Sequence, residues 1–111
     1  MKMKLHEIAG ARSGDKGRNS NVGLYFYKEA TYKWAKINIT TAIVKKYFSE
    51  IVKGSVVRYE LDNINALNFI LKDSLGGGGS ETLINDAQGK THAQALLLLD
   101  INIPKKLVLD V

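Results

Sequence analysis

Cationic, hydroxyl, amide and glycine residues are concentrated in one short stretch of the chain, GARSGDKGRNSNVG, between Gly10 and Gly23. The backbone N–H groups of its glycines can line a concave nest for an anion, and its arginine and lysine side chains can neutralise the charge. Asp15 can orient one of these cations or act as a base. The alternative is a flexible, solvated loop. The candidate ligand- or partner-binding residues in this stretch are Arg12, Ser13, Gly14, Asp15, Lys16, Gly17, Asn19 and Asn21.

Further candidates lie downstream. Asn68 falls on the apolar stripe of a predicted helix, so its amide needs a hydrogen-bond partner, either the polar stretch or a ligand. The run of four glycines that includes Gly77 and Gly78 predicts a close backbone approach or plain flexibility. Asp86 has the chemistry of a turn residue. Lys90 is a candidate anion contact, although the GKT tripeptide around it is not interpreted as a P-loop, because the upstream glycine is missing and the tripeptide is predicted to lie in a turn that leads into a strand rather than into a helix.

The composition argues against several classes of site. The 111-residue chain has no cysteine, which excludes thiolate and disulfide chemistry and favours a reducing, cytoplasmic location. Its two histidines, His6 and His92, have no carboxylate at ligand spacing, so we expect no metal and no cofactor. The net charge of +5 comes from scattered basic residues without interleaved aromatics, which argues against nucleic-acid binding. No apolar run is long enough for a signal peptide or a membrane span.

The elements around the polar stretch follow from the apolar pattern. Residues 4–11 and 22–27 are typical of two strands, which leaves the polar stretch as a long loop between them. Loops of that length in compact domains are often functional. Residues 29–36 favour a short helix, and the stretch KINIT around Ile37 (residues 36–40) could be extended.

The clearest helix lies in the middle of the chain. Thr40 or Thr41 can act as its N-cap, and apolar residues then recur at helical spacing over residues 43–52. Gly54 is predicted to end the helix in the left-handed C′ conformation. We expect the aromatic residues of this helix to lie in the core.

The second half of the chain is predicted to continue with a strand over residues 55–61, with Val57, Tyr59 and Leu61 on one face. A second helix is predicted from Asp62 or Asn63 to about Leu75. A short strand over 82–84, a turn over 86–89 and a long strand over 91–103 follow. A helix over residues 91–99 competes with that last strand, because alanine, glutamine and leucine favour helix.

These elements predict one α+β domain over residues 1–111. It is a ferredoxin-like sandwich with a mostly antiparallel sheet, an extra N-terminal hairpin strand and two main helices on one face.

Four blocks together carry a resemblance to a known family: ARSGDKGRNSNVG, TTAIVKKYF, RYELDNINALNFILKDSLGGGGS and NDAQGKTHAQALL. The chain resembles the AtuA-like ferredoxin-fold family, which occurs as the C-terminal domain of acyclic terpene utilisation protein A and as separate short proteins. The resemblance implies a ferredoxin-like fold. The larger relatives are associated with the catabolism of branched terpenoid acids as CoA thioesters. The large N-terminal domain is missing here, so an active site is expected on a separate chain.

The resemblance also implies that the polar stretch, Asn68, the glycine run and the Asp86–Lys90 region meet in space. Our first hypothesis is an accessory subunit that docks on a larger AtuA-type chain and holds a small anionic ligand. The second is a small enzyme acting on an acyl or hydroxy-acid substrate, with Asp15 or Asp86 as base and Lys16 as electrostatic stabiliser. The third is a self-associating module that forms a symmetric homo-oligomer.

Overall fold

The computed structural model describes residues 1–74 and 92–108, and the side chains of residues 15 and 16 lie outside that description. Within these ranges the chain forms six strands and three α-helical segments, and three short 3₁₀-helices connect or end them. The strands are β1 (Lys2–Lys4), β2 (Ala9–Lys16), β3 (Asn19–Phe26), β4 (Val56–Leu61), β5 (Ala66–Leu71) and β6 (Asp100–Asn102). The helices are α1 (Glu29–Asn38), α2 (Thr41–Tyr47) and α3 (92–97), and the 3₁₀-helices span Leu5–Glu7, Asp62–Ile64 and Lys105–Leu107.

Four strands form the main sheet in the order β2-β3-β5-β4, and β1 pairs with β6 in a separate two-stranded sheet. Every neighbouring pair is antiparallel. From β3 onwards the described elements are one strand, two helices, two strands, one helix and one strand. Helices α1 and α2 together stand where the ferredoxin-like order βαββαβ has its first helix, and the last strand, β6, pairs with β1 outside the main sheet. An extra N-terminal strand, β2, forms a hairpin with β3 at the sheet edge. The predicted α+β ferredoxin-like class is therefore confirmed.

The helices pack on one face of the main sheet. Along β3 the even-numbered residues are buried and most odd-numbered ones are only partly so, as expected for a strand with one covered face. The buried core takes its main-sheet residues from this inner face alone, and α1 contributes Tyr32 and Ala35 to it. Its main-sheet members are Ala9, Val22, Leu24, Phe26, Leu67, Phe69 and Leu71.

The polar stretch is a β-hairpin, so the prediction of a long loop is wrong. Strands β2 and β3 stay paired as far as Lys16 and Asn19, which leaves a turn of two residues, Gly17 and Arg18. Gly17 has a φ of 62°, and a positive φ at the first turn residue is typical of a type II′ hairpin turn. The predicted strand over 4–11 is also interrupted, because the 3₁₀-helix Leu5–Glu7 places Leu5 in the core.

The two central helices differ in part from their predictions. The helix predicted over 29–36 is confirmed as α1, which runs on to Asn38, so the expected extended segment is wrong there. Thr40 is the N-cap of α2, and its Oγ1 atom accepts a hydrogen bond from the backbone N–H of Ile43 at 3.2 Å. However, α2 already ends at Tyr47 rather than at residue 53.

Two further details of α2 were predicted wrongly. Phe48 is buried as expected, but Tyr47 is 39% exposed, because its hydroxyl reaches outward to the carbonyl of Ala95 at 2.6 Å. Gly54 is not among the residues with positive φ. It is required for another reason, since a Cβ atom there would lie 2.9 Å from the carbonyl oxygen of Lys72.

The helix predicted from Asp62 to Leu75 is also wrong. A single 3₁₀ turn over Asp62–Ile64 is followed by Asn65 in the left-handed conformation, with φ 53°, and the chain then returns as β5. Leu67, Phe69 and Leu71 are buried at period two, which is the strand pattern. A short apolar run of this kind is compatible with both the helical period of about 3.6 residues and the strand period of two. The turn that precedes it decides between helix and strand.

The C-terminal strand predicted over 91–103 divides into two elements. Residues 92–97 are helical, as the competing prediction had it, and only Asp100–Asn102 form a strand. The helix-favouring alanine and leucine residues therefore decide the first half. The glycine run, the strand predicted over 82–84 and the turn over 86–89 lie outside the described residues.

Candidate functional site

The face of the main sheet that points away from the helices is the candidate site, and we call it the open face. Its residues alternate along each of the four strands with those of the inner face, as the pairing register shows. None of them belongs to the hydrophobic core formed by the described residues. The open face includes Gly10, Arg12 and Gly14 on β2, Asn21, Gly23 and Tyr25 on β3, Ala66, Asn68 and Ile70 on β5, and Val57, Tyr59 and Leu61 on β4.

One row of paired residues crosses the centre of the open face. Arg12 pairs with Gly23, Gly23 with Asn68, and Asn68 with Tyr59. Because Gly23 has no side chain, the sheet backbone is bare between Arg12 and Asn68. A Cβ atom at Gly23 would lie 3.8 Å from Asn68 Oδ1. The row therefore places the Arg12 guanidinium, the Asn68 amide and the Tyr59 phenol around the uncovered backbone of Gly23.

An amide pair brings the hairpin and β5 together. Asn21 Nδ2 donates to Asn68 Oδ1 at 3.4 Å, which is a long hydrogen bond. A Cβ atom at Gly14 would lie 3.1 Å from Asn21 Oδ1, so the glycine makes room for this amide. Both amides are half-buried and keep donor and acceptor capacity for a ligand or partner.

Arg12 supplies the charge of the open face. Its side chain is exposed, and the described residues provide no hydrogen-bond or ion-pair partner for its guanidinium. An arginine of this kind is free to form two parallel hydrogen bonds with a carboxylate or phosphate.

Exposed aromatic and aliphatic side chains extend from Tyr59 in the central row to Tyr25 and Leu61 in the row towards one end of the open face. Tyr25 is 40% exposed, Tyr59 55% and Leu61 40%. The Tyr25 ring lies directly over Gly10, where a Cβ atom would be 2.4 Å from the ring carbon Cζ. Tyrosine is enriched in protein interfaces because it combines a large apolar ring with a polar hydroxyl. The open face therefore combines an apolar end with a cationic and amide centre.

A buried polar cluster anchors the hairpin turn from the inner side. The Ser20 hydroxyl lies 2.6 Å from the Ser74 hydroxyl and 2.9 Å from His92 Nδ1. The Ser74 hydroxyl donates to the carbonyl of Leu71 at 2.8 Å, so Ser20 donates to Ser74, and His92 Nδ1 donates to Ser20. Ser20, Ser74 and His92 are no more than 5% exposed. We call these three residues the Ser–His cluster.

The electrostatics of the Ser–His cluster favour a structural role. Burial lowers the pKa of His92 below its ordinary value of 6.5, so the ring is neutral at physiological pH. The ring also packs on Phe48, with 5.6 Å between the ring centroids. Because Ser20 is only 1% exposed, its hydroxyl is out of reach of a substrate. The sequence analysis did not identify this cluster. The one signal in the sequence is that Ser20, Val22 and Leu24 are spaced by two residues, so that Ser20 shares the inner face of β3 with the two buried apolar side chains.

A second network, along β4, was also missed. The Tyr32 hydroxyl donates to Asp62 at 2.6 Å, and the Lys36 ammonium donates to the same carboxylate at 3.0 Å. Arg58 pairs with Glu60 at 2.8 Å and also donates to the carbonyls of Lys36 and Ile39 at the end of α1. These contacts attach α1 to β4. Burial and the bond to Asp62 raise the pKa of Tyr32, and the bonds from Tyr32 and Lys36 lower the pKa of Asp62.

The structure brings together only part of the predicted site. Arg12, Gly14, Asn21 and Asn68 share the open face, although Asn68 lies on a strand and not on a helix. Ser13 lies on the inner side of β2, and Gly17 forms the turn. The Asn19 side chain accepts from the backbone N–H of Asp73 at 2.8 Å, which ties the hairpin to the end of β5. The structure does not describe the side chains of Asp15 and Lys16. The remaining candidates lie outside the described residues: Gly77, Gly78, Asp86 and Lys90.

A cavity of about 430 Å³ lies beside the polar end of the open face, lined by Asn19, Ser20, Asn21 and Ile70. This volume falls within the range of small-molecule sites. Three of these four residues, Asn19, Ser20 and Asn21, are polar. No group of three metal-ligating side chains occurs among residues 1–74 and 92–108.

The family model of the AtuA ferredoxin-like domain matches residues 3–102, which covers most of the chain. The chain belongs to this family. The match confirms the resemblance carried by the sequence blocks, and the AtuA ferredoxin-like domain here extends from β1 to the end of β6. The comparisons find no matching curated protein and no matching solved structure. In the part of this AtuA ferredoxin-like domain that the structure describes, no helix is long and apolar enough to cross a membrane.

Proposed function

We propose that this protein is a small accessory subunit that docks through its open face on a larger AtuA-type chain in CoA-linked acyl or terpenoid catabolism. Membership of the AtuA ferredoxin-like domain family supports the identity of the partner. The observation that carries the proposal is Arg12, an exposed guanidinium without a partner among the described residues, on a sheet face that also presents exposed tyrosines.

The chemistry of the open face suits a protein partner. Arginine and tyrosine are the residue types that most often dominate binding energy at interfaces. Tyr25, Tyr59 and Leu61 provide apolar area, while Arg12 and Asn68 provide directed polar contacts. The bare backbone at Gly23 lets a partner side chain approach the sheet closely. We therefore expect a partner surface with an apolar patch next to a carboxylate that pairs with Arg12.

A small anionic ligand fits the same arrangement at the interface. The cavity beside Asn19 and Asn21 has amide donors for a carboxylate or phosphate group. It adjoins Gly14, which approaches the Asn21 amide closely. In this proposal the larger chain performs the reaction, and the small subunit helps to hold the acidic end of its ligand.

The alternative of a small enzyme finds less support among the described residues. The serine and histidine that do lie within hydrogen-bond distance, Ser20 and His92, are 1% and 5% exposed and point into the core. A general base must reach the proton of a bound substrate. Arg12 and the two amides of the open face bind and orient groups but do not transfer protons at neutral pH.

Co-purification tests the proposal. The larger AtuA-type chain from the same genome, carrying an affinity tag, is co-expressed with the untagged small protein. We expect the small protein to co-elute with it. Asn68→Lys places a long charged side chain at the centre of the open face and should abolish co-elution. Ile37→Lys is the matched control, because Ile37 is 77% exposed on α1 in the opposite layer. Failure of the unchanged protein to co-elute, or equal co-elution of both variants, would contradict the proposal.

A further inference from the structure

Strand β4 (Val56–Leu61) is the outer strand of the main sheet, and its outward backbone groups can be identified from the hydrogen bonds. The N–H of Lys72 donates to the carbonyl of Ser55 at 3.0 Å, so Ser55 faces β5. Antiparallel hydrogen bonding alternates between neighbours, so the backbone groups of Val57, Tyr59 and Leu61 also point at β5. On the other side of β5, Asn65 accepts from the N–H of Phe26 at 2.9 Å, which gives the same alternation. The N–H and C=O groups of Val56, Arg58 and Glu60 therefore point away from the sheet.

Strand β4 carries no net charge along this edge, because its two charged residues, Arg58 and Glu60, have opposite signs. Natural edge strands are usually guarded by charged side chains, above all lysine, by proline or by a bulge, because their free backbone groups pair readily with another strand. The β4 sequence, VVRYEL, contains neither lysine nor proline and is rich in strand-forming residues. The residues from Tyr59 to Ile64 are all exposed, and they include the large apolar side chains of Tyr59, Leu61 and Ile64.

We propose that β4 pairs with β4 of a second copy of this chain, antiparallel and centred on Tyr59. In this register Tyr59 lies opposite the same residue of the second copy, Arg58 opposite Glu60, and Val57 opposite Leu61. The outward backbone groups of Arg58 and Glu60 then form the two central pairs of hydrogen bonds. Tyr59 occupies a non-hydrogen-bonded position, where side chains on opposite strands lie closest.

The charges of β4 fit this register and no neighbouring one. Arg58 and Glu60 both project to the inner face, where they pair with each other at 2.8 Å within one chain. Across the two-fold axis each arginine lies opposite a glutamate, so opposite charges meet twice. A shift of the centre to Arg58 or Glu60 would place like charges opposite each other, which is destabilising. Apolar Val57 and Leu61 meet on the open face in the same arrangement.

The two-fold axis of such a pair runs perpendicular to the sheet. Two four-stranded sheets then join into one continuous sheet, and both open faces lie on the same side of it. The two Tyr59 rings meet at the centre of the combined face. This inference is independent of the larger partner chain, because it rests on β4 alone.

Register-specific cross-linking tests the pairing. The natural chain has no cysteine, so a single introduced cysteine is a clean reporter. The Cα atoms of a non-hydrogen-bonded antiparallel pair are about 4.5 Å apart, within the range of about 4.4–6.8 Å that a disulfide spans. We expect Tyr59→Cys to form a disulfide-linked dimer under mild oxidation. Val57→Cys and Leu61→Cys should each form no disulfide-linked dimer when oxidised alone but should cross-link when mixed. Equal cross-linking at all three positions, or none at residue 59, would overturn the proposal.

A second measurement does not depend on disulfide formation. Glu60→Pro removes an N–H that points away from the sheet, so the fold keeps its own hydrogen bonds while the edge is blocked. Glu60→Gln keeps that N–H and is the control. In sedimentation between roughly 1 and 500 µM, we expect the unchanged protein and Glu60→Gln to approach twice the 12.3 kDa chain mass and Glu60→Pro to stay monomeric. A monomeric unchanged protein, or a dimeric Glu60→Pro with an intact circular dichroism spectrum, would also overturn the proposal.

Discussion

His92 Nδ1 lies 2.9 Å from Ser20 Oγ in the interior of the protein, and 72 positions in the sequence separate the two residues. This contact joins the start of α3 to β3, next to the turn of the first hairpin. Ser74, three residues after the end of β5, contacts the same hydroxyl at 2.6 Å. The Ser–His cluster therefore fixes the end of the sheet at which Asn19, Asn21 and the adjoining cavity lie.

Ser20→Ala should destabilise the protein. The substitution leaves the Ser74 hydroxyl and His92 Nδ1 with one partner fewer inside the core. A buried polar group without its partner costs about 1–3 kcal/mol, so we expect a loss of that size in the free energy of unfolding measured with urea. Ser49→Ala is the control, since Ser49 is exposed. An equal, small effect of both substitutions would show that the cluster does not stabilise the fold.

The stability of the protein should fall as the pH decreases from about 6.5. Burial lowers the pKa of His92 in the folded state below the 6.5 of the unfolded chain, so the unfolded state binds the proton more readily. The stabilising contribution is therefore complete above pH 6.5 and is lost progressively as the pH falls towards the folded-state pKa. The measurement is the urea midpoint between pH 7.5 and 5. His92→Gln should flatten this dependence and His6→Gln should retain it, whereas a slope that His92→Gln leaves unchanged would contradict the assignment.

The sequence was sufficient for the fold class but not for several element types. Helix α1 and the Thr40 N-cap followed from local patterns, because hydroxyl capping and helical periodicity act within a few residues. Residues 62–75 could not be assigned in this way. The segment is apolar enough for either period, and the left-handed turn at Asn65 that selects the strand becomes favourable only when β5 pairs with β3 and β4.

The candidate site shows the same limit. Arg12, Gly14, Asn21 and Asn68 were selected by residue type, and the pairing register places them on one face. Their arrangement in strands was not predicted, because the polar stretch was interpreted as a loop. The hairpin depends on a turn of two residues whose flanking strands are unusually polar. His92 was considered only as a metal ligand, and its contact with Ser20 depends on tertiary packing that no local pattern reports.

Substitution by alanine should destabilise the protein to different extents at Gly54 and Gly10. At Gly54 a Cβ atom would lie 2.9 Å from the backbone oxygen of Lys72, which cannot move without shifting the sheet. We expect Gly54→Ala to lower the free energy of unfolding by about 1–3 kcal/mol. At Gly10 the obstacle is the partly exposed Tyr25 ring, which can rotate away, so Gly10→Ala should cost much less. Thermal unfolding of both variants checks the ranking, and a larger loss for Gly10→Ala would contradict it.

Tyr32→Phe should weaken the attachment of α1 to β4. The substitution removes the 2.6 Å hydrogen bond from the buried ring to Asp62 and keeps the contact with Phe26. We expect a loss of about 1 kcal/mol in stability. The bond from Tyr32 is the main cause of the lowered pKa of Asp62, so that pKa should rise towards 3.8. Carbon-detected NMR titration of the Asp62 carboxyl group follows the change, and an unaltered pKa would show that Lys36 alone sets it.

The same contacts of Asp62 predict that the stability of the protein decreases in acid. Because the folded-state pKa of Asp62 is lowered, its contribution to stability is present above pH 3.8 and is lost as the pH falls through the folded-state value. Asp62→Asn should reduce the acid sensitivity of the urea midpoint below pH 4. Asp100→Asn is the control, because Asp100 pairs with Lys4 on the separate small sheet.

The most direct test of the central claim is the affinity of this subunit for the larger AtuA-type chain, measured by isothermal titration calorimetry with Arg12→Ala combined with Lys16→Ala. Lys33→Ala combined with Lys46→Ala removes the same charge from the helical layer and is the control. If the open face is the docking surface, the first pair weakens binding at least about tenfold, the control pair does not, and neither shifts the thermal midpoint by more than about 4 °C. Unchanged affinity of the Arg12/Lys16 variant, or its unfolding at a much lower temperature, would contradict the claim.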